Sequence, residues 1–266
     1  MSIITLLTDF GTDDEYVGLM KGMILSINPS ATIVDITHQI DRQDIIQAAF
    51  TIFSGYQYFP DGTVHLVVVV PGVGTERGLL ALKLENHFFI APDNGVLTLL
   101  FNEKKVSSLN LINNSTYFKA SESRTFHGRD IIAPVGAHIA NGLEIDELGP
   151  EIDVQNIVCL DNLGARCTEN GDLKGEVVAI DHFGNLITNI KSEQLTECLP
   201  AGPREEIQIR FRSNVIKGLS ETYASVGSNT LLALIGSRGY LEIAINRGNA
   251  AQHLNAVIGE TVWVVL

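Results

Sequence analysis

Two carboxylates near the start of the chain are the first residues that could do chemistry. Asp9 follows the apolar, partly β-branched run 3–7, which predicts a buried strand. Gly11 permits a sharp turn, and apolar residues at helical spacing begin at Tyr16. Asp9 is therefore expected at the carboxyl end of the first strand and Asp14 at the start of the first helix, where parallel sheets bind ligands. Such a pair suits a ligand with hydroxyl groups or positive charge, although either carboxylate could merely cap the helix.

A second polar segment covers residues 123–130 and reads SRTFHGRD, just before a helix predicted over 131–140. His127 lies between an aromatic residue and a glycine, which favours a partly exposed ring with rigid neighbours. An ordinary loop histidine is the alternative, since the chain contains seven histidines. Arg129 and Asp130 could simply begin the helix, where Asp130 would favour its positive end.

Three polar, glycine-rich loops occur later, at residues 181–185, 237–240 and 246–249. Asn185 can both donate and accept hydrogen bonds, as recognition of an adenine edge requires, and Phe183 can stack on a flat ring. For each loop the alternative is a surface β-turn, in which Gly and Asn are usual. Together with the two carboxylates of the first half, these loops predict a site shared between domains.

Composition argues against several classes of partner. The net charge of −13 disfavours nucleic acid and anionic lipid, and no apolar run reaches the ~18 residues of a membrane span. Residues 1–20 lack a basic n-region, so no signal peptide is expected. The cysteines at 159, 167 and 198 are odd in number and lack metal-ligand spacing, so neither a disulfide framework nor a metal site is expected. A reducing cytoplasm fits this cysteine usage.

The order of predicted elements indicates two domains. Strands and helices alternate through about residue 140, which predicts an α/β domain over 1–162. Its most apolar strand, 64–70, is expected at the centre of a mostly parallel sheet. After a linker at about 160–172, short β-like runs with turn signals predict a small all-β, barrel-like domain over 172–266.

Motifs spread over nearly the whole chain resemble those of one known family. The motifs are TDFG at 8–11, DEYVG at 14–18, FPDGTV at 59–64, PGVGT at 71–75, APDNGVL at 91–97, FHGRD at 126–130, IDHFGN at 180–185 and SRGYL at 237–241. In these motifs the chain resembles the S-adenosyl-L-methionine hydroxide adenosyltransferases, which are relatives of the fluorinases and chlorinases. So many motifs in the same order make chance similarity implausible.

The resemblance implies an activity and an assembly. The reaction is hydrolysis of S-adenosyl-L-methionine to adenosine and L-methionine by attack of water or hydroxide at the ribose 5′ carbon. The resemblance implies no metal and no cofactor beyond this substrate. It also implies an α/β domain joined to a small β-barrel domain, and a homotrimer with sites where one subunit's first domain meets a neighbour's second.

The resemblance also assigns roles to individual residues. It places the ribose hydroxyls on Asp9 and the nucleophile beside Arg77 and His127. Phe10 belongs to the implied substrate-binding set. The rest of that set comprises the methionine-end residues Asp14, Asp181, Ser237 and Arg238 and the adenine-binding residues Phe183 and Asn185.

One position departs from the family. Where the family pattern reads Asp-Pro-Gly-Val-Gly-Thr, this chain has Val70 followed by PGVGT, which predicts impaired hydrolysis. Two other functions therefore stay open: a non-catalytic binder of S-adenosyl-L-methionine or adenosine, and a halide-using adenosyltransferase. The halogenating relatives carry an insertion near residue 84 that is absent here, and they lack a His-Gly pair such as His127-Gly128. Both differences favour the water-using branch.

Overall fold

A computed structural model describes residues 2–71, 77–103, 105–120, 123, 125–199 and 206–266. Most of the predicted PGVGT loop and Arg124 lie outside the described residues. Contacts divide the chain into two compact units, Met1–Asp161 and Asn162–Leu266. Among the helices that the structure describes, none is long and apolar enough to cross a membrane.

Unit 1 contains, in its described part, a six-stranded mixed sheet of order β2-β1-β3-β5-β4-β6. Its elements are β1 (Ile3–Thr8), α1 (Tyr16–Ile27), β2 (Thr32–Thr37), α2 (Ile45–Gly55), β3 (Val64–Val68), β4 (Leu79–Leu84), β5 (His87–Pro92), α3 (Thr98–Glu103), β6 (Val106–Leu111) and α4 (Ala133–Ala140). Strand β1 runs parallel to β2 and β3, and β3 runs parallel to β5. Strand β4 is antiparallel to β5 and β6. The α/β class and the mostly parallel sheet are confirmed.

Strand β3 is buried on both faces because helices cover the sheet on both sides. Leu66 and Val68 pack in the same cluster as residues of α1 and α4, whereas Val67 packs in a cluster with residues of α2 and α3. All five β3 residues are buried, as expected for a strand inside a parallel sheet. The apolar run over 64–70 therefore has the central role that the sequence predicts.

The chain enters α4 through a π-helical turn, Gly128–Ile132. Helical structure thus begins three residues before the predicted start at 131. The turn lies immediately before Pro134 in the first turn of α4. Because proline has no N–H, the regular bond back to the carbonyl of Asp130 cannot form, and that carbonyl instead accepts from the Lys119 N–H at 2.9 Å. Such π-turns often occur at functional sites.

Unit 2 is all-β apart from short helices, and its described part contains eight strands in one antiparallel sheet. Its elements are β7 (Arg166–Cys167), β8 (Leu173–Ile180), β9 (Leu186–Lys191), α5 (Ser192–Cys198), β10 (Gln208–Phe211), β11 (Asn214–Lys217), β12 (Leu231–Ile235), β13 (Tyr240–Ile245), α6 (Ala250–Leu254) and β14 (Thr261–Val265). The order is β11-β10-β14-β8-β9-β13-β12, with β7 paired to β8. The sheet curls around an apolar core that includes Leu173, Phe211 and Ile243. The barrel-like prediction is confirmed.

The expectation of unpaired cysteines is wrong for two of the three. Cys167 and Cys198 form a disulfide with a Cα–Cα distance of 5.7 Å, and Cys159 is free and exposed. The pairing arises because β7 lies beside β8 while α5 contacts β8 and β9. This brings together residues 31 apart in sequence, which a count of cysteines does not reveal. The inference of a reducing compartment loses the support it drew from cysteine usage.

A buried histidine pair lies in the sheet of unit 1. His65 is fully buried, its Nδ1 lies 2.8 Å from Thr5 Oγ1, and its Nε2 lies 3.1 Å from His87 Nδ1. The Phe89 ring stacks on the imidazole at 4.8 Å between centroids. Burial, together with the charge that a protonated His87 would carry, lowers the pKa of His65 to about 3. His65 is therefore neutral in the folded protein across physiological pH.

We predict that His65 makes the protein acid-labile. The unfolded chain takes up a proton near pH 6.5 while the folded chain does not, so the free energy of unfolding decreases as pH falls from about 6.5 towards 3. One such group contributes a slope of about 1.4 kcal/mol per pH unit. His65→Gln should remove about that slope, measured by urea unfolding with circular dichroism between pH 7 and 4.5. His253→Gln, at an exposed position, is the control, and equal slopes for both variants would contradict the prediction.

Candidate functional site

A cavity of about 410 Å³ opens at the edge of the unit 1 sheet where β3 and β5 end. It is lined from the segment after β1, from the end of β3, from the start of β4 and from the segment before the π-helical turn. Val68 and Val70 form part of one wall, with Leu79 and Pro92 nearby. Because parallel strands all send their carboxyl ends to one edge, this is the edge where an open α/β sheet binds ligands.

Three aromatic rings form a cluster beside the cavity. The ring centroids of Phe10 and Tyr16 are 5.7 Å apart, those of Phe10 and Phe126 are 5.8 Å apart, and those of Tyr16 and Phe126 are 5.2 Å apart. All three residues line the cavity. Their faces can attract a cation and their area can bury an apolar chain.

Arg77 and His127, the two predicted catalytic residues, line this same cavity together with Val70. The Arg77 Nη1 donates to the carbonyl of Pro71 at 2.8 Å, which fixes the guanidinium near the end of β3. Burial lowers the pKa of Arg77, yet an arginine remains charged at neutral pH. The structure thus brings a cation, an imidazole and an apolar side chain to one small volume.

Asp9 and Asp14 have different environments from each other. Asp9 follows β1 directly, as predicted, and its Oδ2 accepts from the backbone N–H of Gln43 at 2.9 Å. Gln43 has a positive φ of 65°. Asp14 is exposed, and α1 begins at Tyr16 with Glu15 in the N-cap position. Asp14 therefore lies one residue outside the capping position that was its alternative explanation.

The predicted adenine-binding loop of unit 2 is a tight turn between β8 and β9. Asp181 Oδ1 accepts from the backbone N–H groups of Phe183 and Asn185 at 2.9 and 2.8 Å. Asp181 Oδ2 accepts from Asn185 Nδ2 at 2.8 Å. Gly184 has a φ of 84°, and a Cβ there would lie 2.1 Å from the side chain of Asn249, so this position requires glycine. The turn presents the Phe183 ring to solvent with 73% of its area exposed.

Ser237 and Arg238 lie in the hairpin turn between β12 and β13, and both are exposed. The turn is closed by the Gly236 N–H, which donates to the carbonyl of Tyr240 at 2.9 Å. Beneath it, the buried Glu242 accepts from the Tyr223 hydroxyl at 2.8 Å. Burial raises the pKa of Glu242, and the charge of Asp181 adds to this effect while that of Arg238 opposes it. Arg238 and Asp181 therefore both act electrostatically on one buried carboxyl.

Sequence reasoning did not assign a site role to Tyr16, Phe126 or Glu15, although all three line the cavity. Tyr16 was read only as an apolar residue at helical spacing, and Phe126 only as a neighbour of His127. The sequence could have placed Tyr16 near the cavity, because a residue at the start of a helix that follows a turn at the sheet edge lies at that same edge. Which of them form the wall depends on the packing of α1 against the π-helical turn.

Two family models match most of the chain. The model of the SAM hydroxide adenosyltransferase N-terminal domain matches residues 4–149, and that of the C-terminal domain matches residues 175–263. Curated relatives include the (R)-S-adenosyl-L-methionine hydrolase of Thermus thermophilus, 34% identical over 98% of this chain and 99% of its own. The hydrolase of the same name from Methanocaldococcus jannaschii is 34% identical over 96% of this chain and 92% of its own. A fluorinase of Actinoplanes sp. is 31% identical over 98% of this chain and 97% of its own.

Two solved structures are similar to this chain in both sequence and fold. An uncharacterised conserved protein from Thermotoga maritima is 36% identical, with a TM-score of 0.91 over 99% of this chain and 100% of its own. A conserved hypothetical protein from Thermus thermophilus is 32% identical, with a TM-score of 0.79 over 100% of both chains. With both family models matched and full-length relatives above 30% identity, the chain belongs to the SAM hydroxide adenosyltransferase family.

Proposed function

We propose that this protein hydrolyses S-adenosyl-L-methionine to adenosine and L-methionine. The observation that carries the proposal is the meeting of Arg77 and His127 at one cavity of the sheet edge. The relatives with the same domain organisation support it, since several are named (R)-S-adenosyl-L-methionine hydrolases. Their name also indicates that the R configuration at sulfur is the form to test first.

The chemistry needs little from the protein beyond positioning. An oxygen nucleophile attacks the ribose 5′ carbon, the new C–O bond forms, and the C–S bond breaks with its electron pair moving to sulfur. The sulfonium thereby becomes the neutral thioether of methionine, so no acid has to protonate the leaving group. What remains is to hold the nucleophile in line with the C–S bond and remove bulk water. Arg77 and His127 orient and polarise the nucleophile, and the proton of an attacking water passes to solvent.

The proposed substrate contacts come from both units of the chain. Asp9 binds the ribose hydroxyls, Phe10 contacts the substrate beside the cavity, and Phe183 and Asn185 bind the adenine. The methionine end lies with Asp14, Asp181, Ser237 and Arg238. Support comes from Phe183, whose ring is 73% exposed and held by a fixed turn, so it is open to stack on a flat ring. We propose that the assembly is a homotrimer, in which each site combines unit 1 of one chain with unit 2 of its neighbour.

The activity is tested by identifying the nucleoside product. The protein is incubated with the R and S sulfonium forms separately, with EDTA present, and with or without chloride. We expect adenosine and methionine in equal amounts, formed faster from the R form and unaffected by EDTA. The absence of any nucleoside product while adenosine still binds would show a non-catalytic binder instead.

A halide-using transferase is the second candidate. The apolar side chain of Val70, which lines the same cavity as Arg77, motivates it, since residue 70 contributes no carboxylate that would repel an anion. In the same experiment this function would give a 5′-halo-adenosine that depends on chloride. Adenosine as the sole product in saturating chloride would exclude it.

We predict that Val70→Asp accelerates adenosine formation. Val70 lines the cavity with Arg77 and His127, and valine cannot accept a hydrogen bond from the attacking water. A positioned acid–base group contributes roughly 10²–10⁴-fold to a rate, so a gain of at least about ten-fold in single-turnover adenosine release is expected. Substrate affinity should change less, because recognition is proposed to lie mainly with Asp9, Asp14, Asp181, Asn185 and Arg238.

Val70→Asn is the matched control for this variant. Asparagine can orient water through its carbonyl oxygen but cannot take a proton, so its gain should be well below that of aspartate. The rates of the Val70→Asp and Val70→Asn proteins are each compared with that of the parent protein at saturating substrate. Aspartate and asparagine giving the same rate would show that orientation alone is missing, and no gain in either would refute the assignment of residue 70 to the nucleophile.

We predict that two inactive variants restore activity when mixed in one trimer. His127→Ala inactivates the half-site in unit 1, and Asn185→Ala inactivates the half-site in unit 2. A site built from two chains is therefore intact wherever an unmutated unit 1 meets an unmutated unit 2. With random 1:1 mixing, three quarters of the trimers contain both chains and each has one intact site in three, giving about a quarter of the parent activity. Differently tagged chains are co-expressed and all trimers are assayed together, while mixed trimers purified through both tags should show about a third of the parent activity. Activity no higher than that of the separate variants would contradict a site shared between chains.

A further inference from the structure

The segment that carries His127 is anchored by a carboxylate that has no role in the proposed chemistry. Asp130 is fully buried and lies three residues after His127. A buried carboxylate is costly unless donors surround it. The donors around Asp130 therefore indicate which parts of the chain its buried carboxylate holds together.

The donors to Asp130 come from both ends of the segment. The backbone N–H of Ser123 donates to Oδ2 at 2.7 Å. Arg129 donates through Nε to Oδ1 at 2.5 Å and through Nη2 to Oδ2 at 2.8 Å, and Lys119 Nζ lies 3.6 Å from Oδ1. The hydrogen bond from Arg129 holds the pKa of Asp130 below its ordinary value, so the carboxylate is ionised.

The backbone of Asp130 completes the anchor. Its N–H donates to the carbonyl of Phe126 at 3.1 Å, and its carbonyl accepts from the N–H of Lys119 at 2.9 Å. That carbonyl is available because Pro134 cannot supply the helical bond. One residue thus ties together positions 119, 123 and 126 through both main-chain and side-chain bonds.

As a consequence of these bonds, the residues on both sides of His127, Phe126 and Gly128, are held in place. The guanidinium of Arg129, fixed by Asp130, lies 5.2 Å from the centre of the Phe126 ring. On the other side, a Cβ at Gly128 would lie 3.2 Å from Phe126 and 3.3 Å from Val68, so this backbone sits close against the sheet. The two residues on either side of His127, Phe126 and Gly128, are therefore both held in place.

We infer that Asp130 is a positioning residue for His127 and that it holds the imidazole at the cavity through its contacts with Ser123, Arg129 and Phe126. The inference rests on the proposed function, because positioning matters only if His127 acts on the substrate. It assigns Asp130 no contact with substrate. A purely structural role would instead affect the stability of unit 1 and leave the chemistry of the folded molecules unchanged.

The test compares Asp130→Asn with a destabilising control. The amide NH₂ of asparagine opposes a donor from Ser123 or Arg129, which should loosen the segment without changing side-chain size. The control is Asn110→Ala, since Asn110 is also buried and donates to the carbonyl of Gly149 at 3.0 Å outside the cavity lining. For Asp130→Asn we expect kcat for adenosine formation to fall roughly 10- to 100-fold, with KM within about three-fold. The control should retain kcat even where its melting temperature falls equally.

A second measurement does not depend on activity. The His127 side-chain resonances, assigned with His127→Gln, are compared by NMR in histidine-labelled parent, Asp130→Asn and Asn110→Ala proteins. We expect them to shift or double only in Asp130→Asn. If the parent makes no adenosine, the proposed function fails, while the resonances still decide whether Asp130 positions His127. Unchanged resonances, or a kcat within about two-fold of the parent in an active enzyme, overturn the inference.

A second variant covers the case in which Asp130→Asn does not fold. Arg129→Gln leaves the carboxylate with the Ser123 N–H and removes its bidentate partner. We expect the same direction of change, with kcat reduced and the His127 resonances altered. A folded Arg129→Gln protein with the kcat and His127 resonances of the parent would equally overturn the inference.

Discussion

The parallel pairing of β1 with β3 is the constraint on which the rest of unit 1 depends. Thr8 at the end of β1 pairs with Val68 at the end of β3, so the chain leaves both strands at one edge of the sheet. The segments that follow bring Phe10 and Val70 to the same cavity. Helices α1 and α4 then pack against the β1–β3 face, which places the π-helical turn and His127 beside that edge.

Unit 2 achieves local rigidity by another means. In its polar turns, side chains of the turn itself hydrogen-bond the backbone groups of the turn. Asp181 accepts three hydrogen bonds within five residues, and Asn249 caps α6 through the Gln252 N–H while packing against Gly184. An exposed side chain such as Phe183 is therefore held in place by a local hydrogen-bond network, which would lower the entropy lost if it binds a ligand.

The sequence predicted those parts of the fold that local patterns determine. Strand β3 followed from an apolar run, and Asp9 was correctly placed because a strand and a turn bracket it. The π-helical turn was not predicted, since it depends on Pro134 together with the distant Lys119 and Ser123 backbone. The pairing of Cys167 with Cys198 was missed for the same reason, as it is set by strand order. The motifs gave the site residues Phe10, Arg77 and His127, but the aromatic wall of Tyr16 and Phe126 arises only from packing.

Residue 70 lies two positions beyond the last residue of β3 and is only partly buried. The chain is secured just before it, where Asn94 Nδ2 donates to the carbonyl of Val69 at 2.9 Å. The side chain at 70 thus contributes to the cavity wall, while the preceding residues hold the backbone in place through the β3 pairing and the Asn94 hydrogen bond. Val70 packs only at the margin of the unit 1 core, so a substitution there should cost less stability than one at a fully buried residue of β3. The chemistry of this part of the cavity wall can therefore be altered with a smaller penalty in folding than a change in the strand itself would bring.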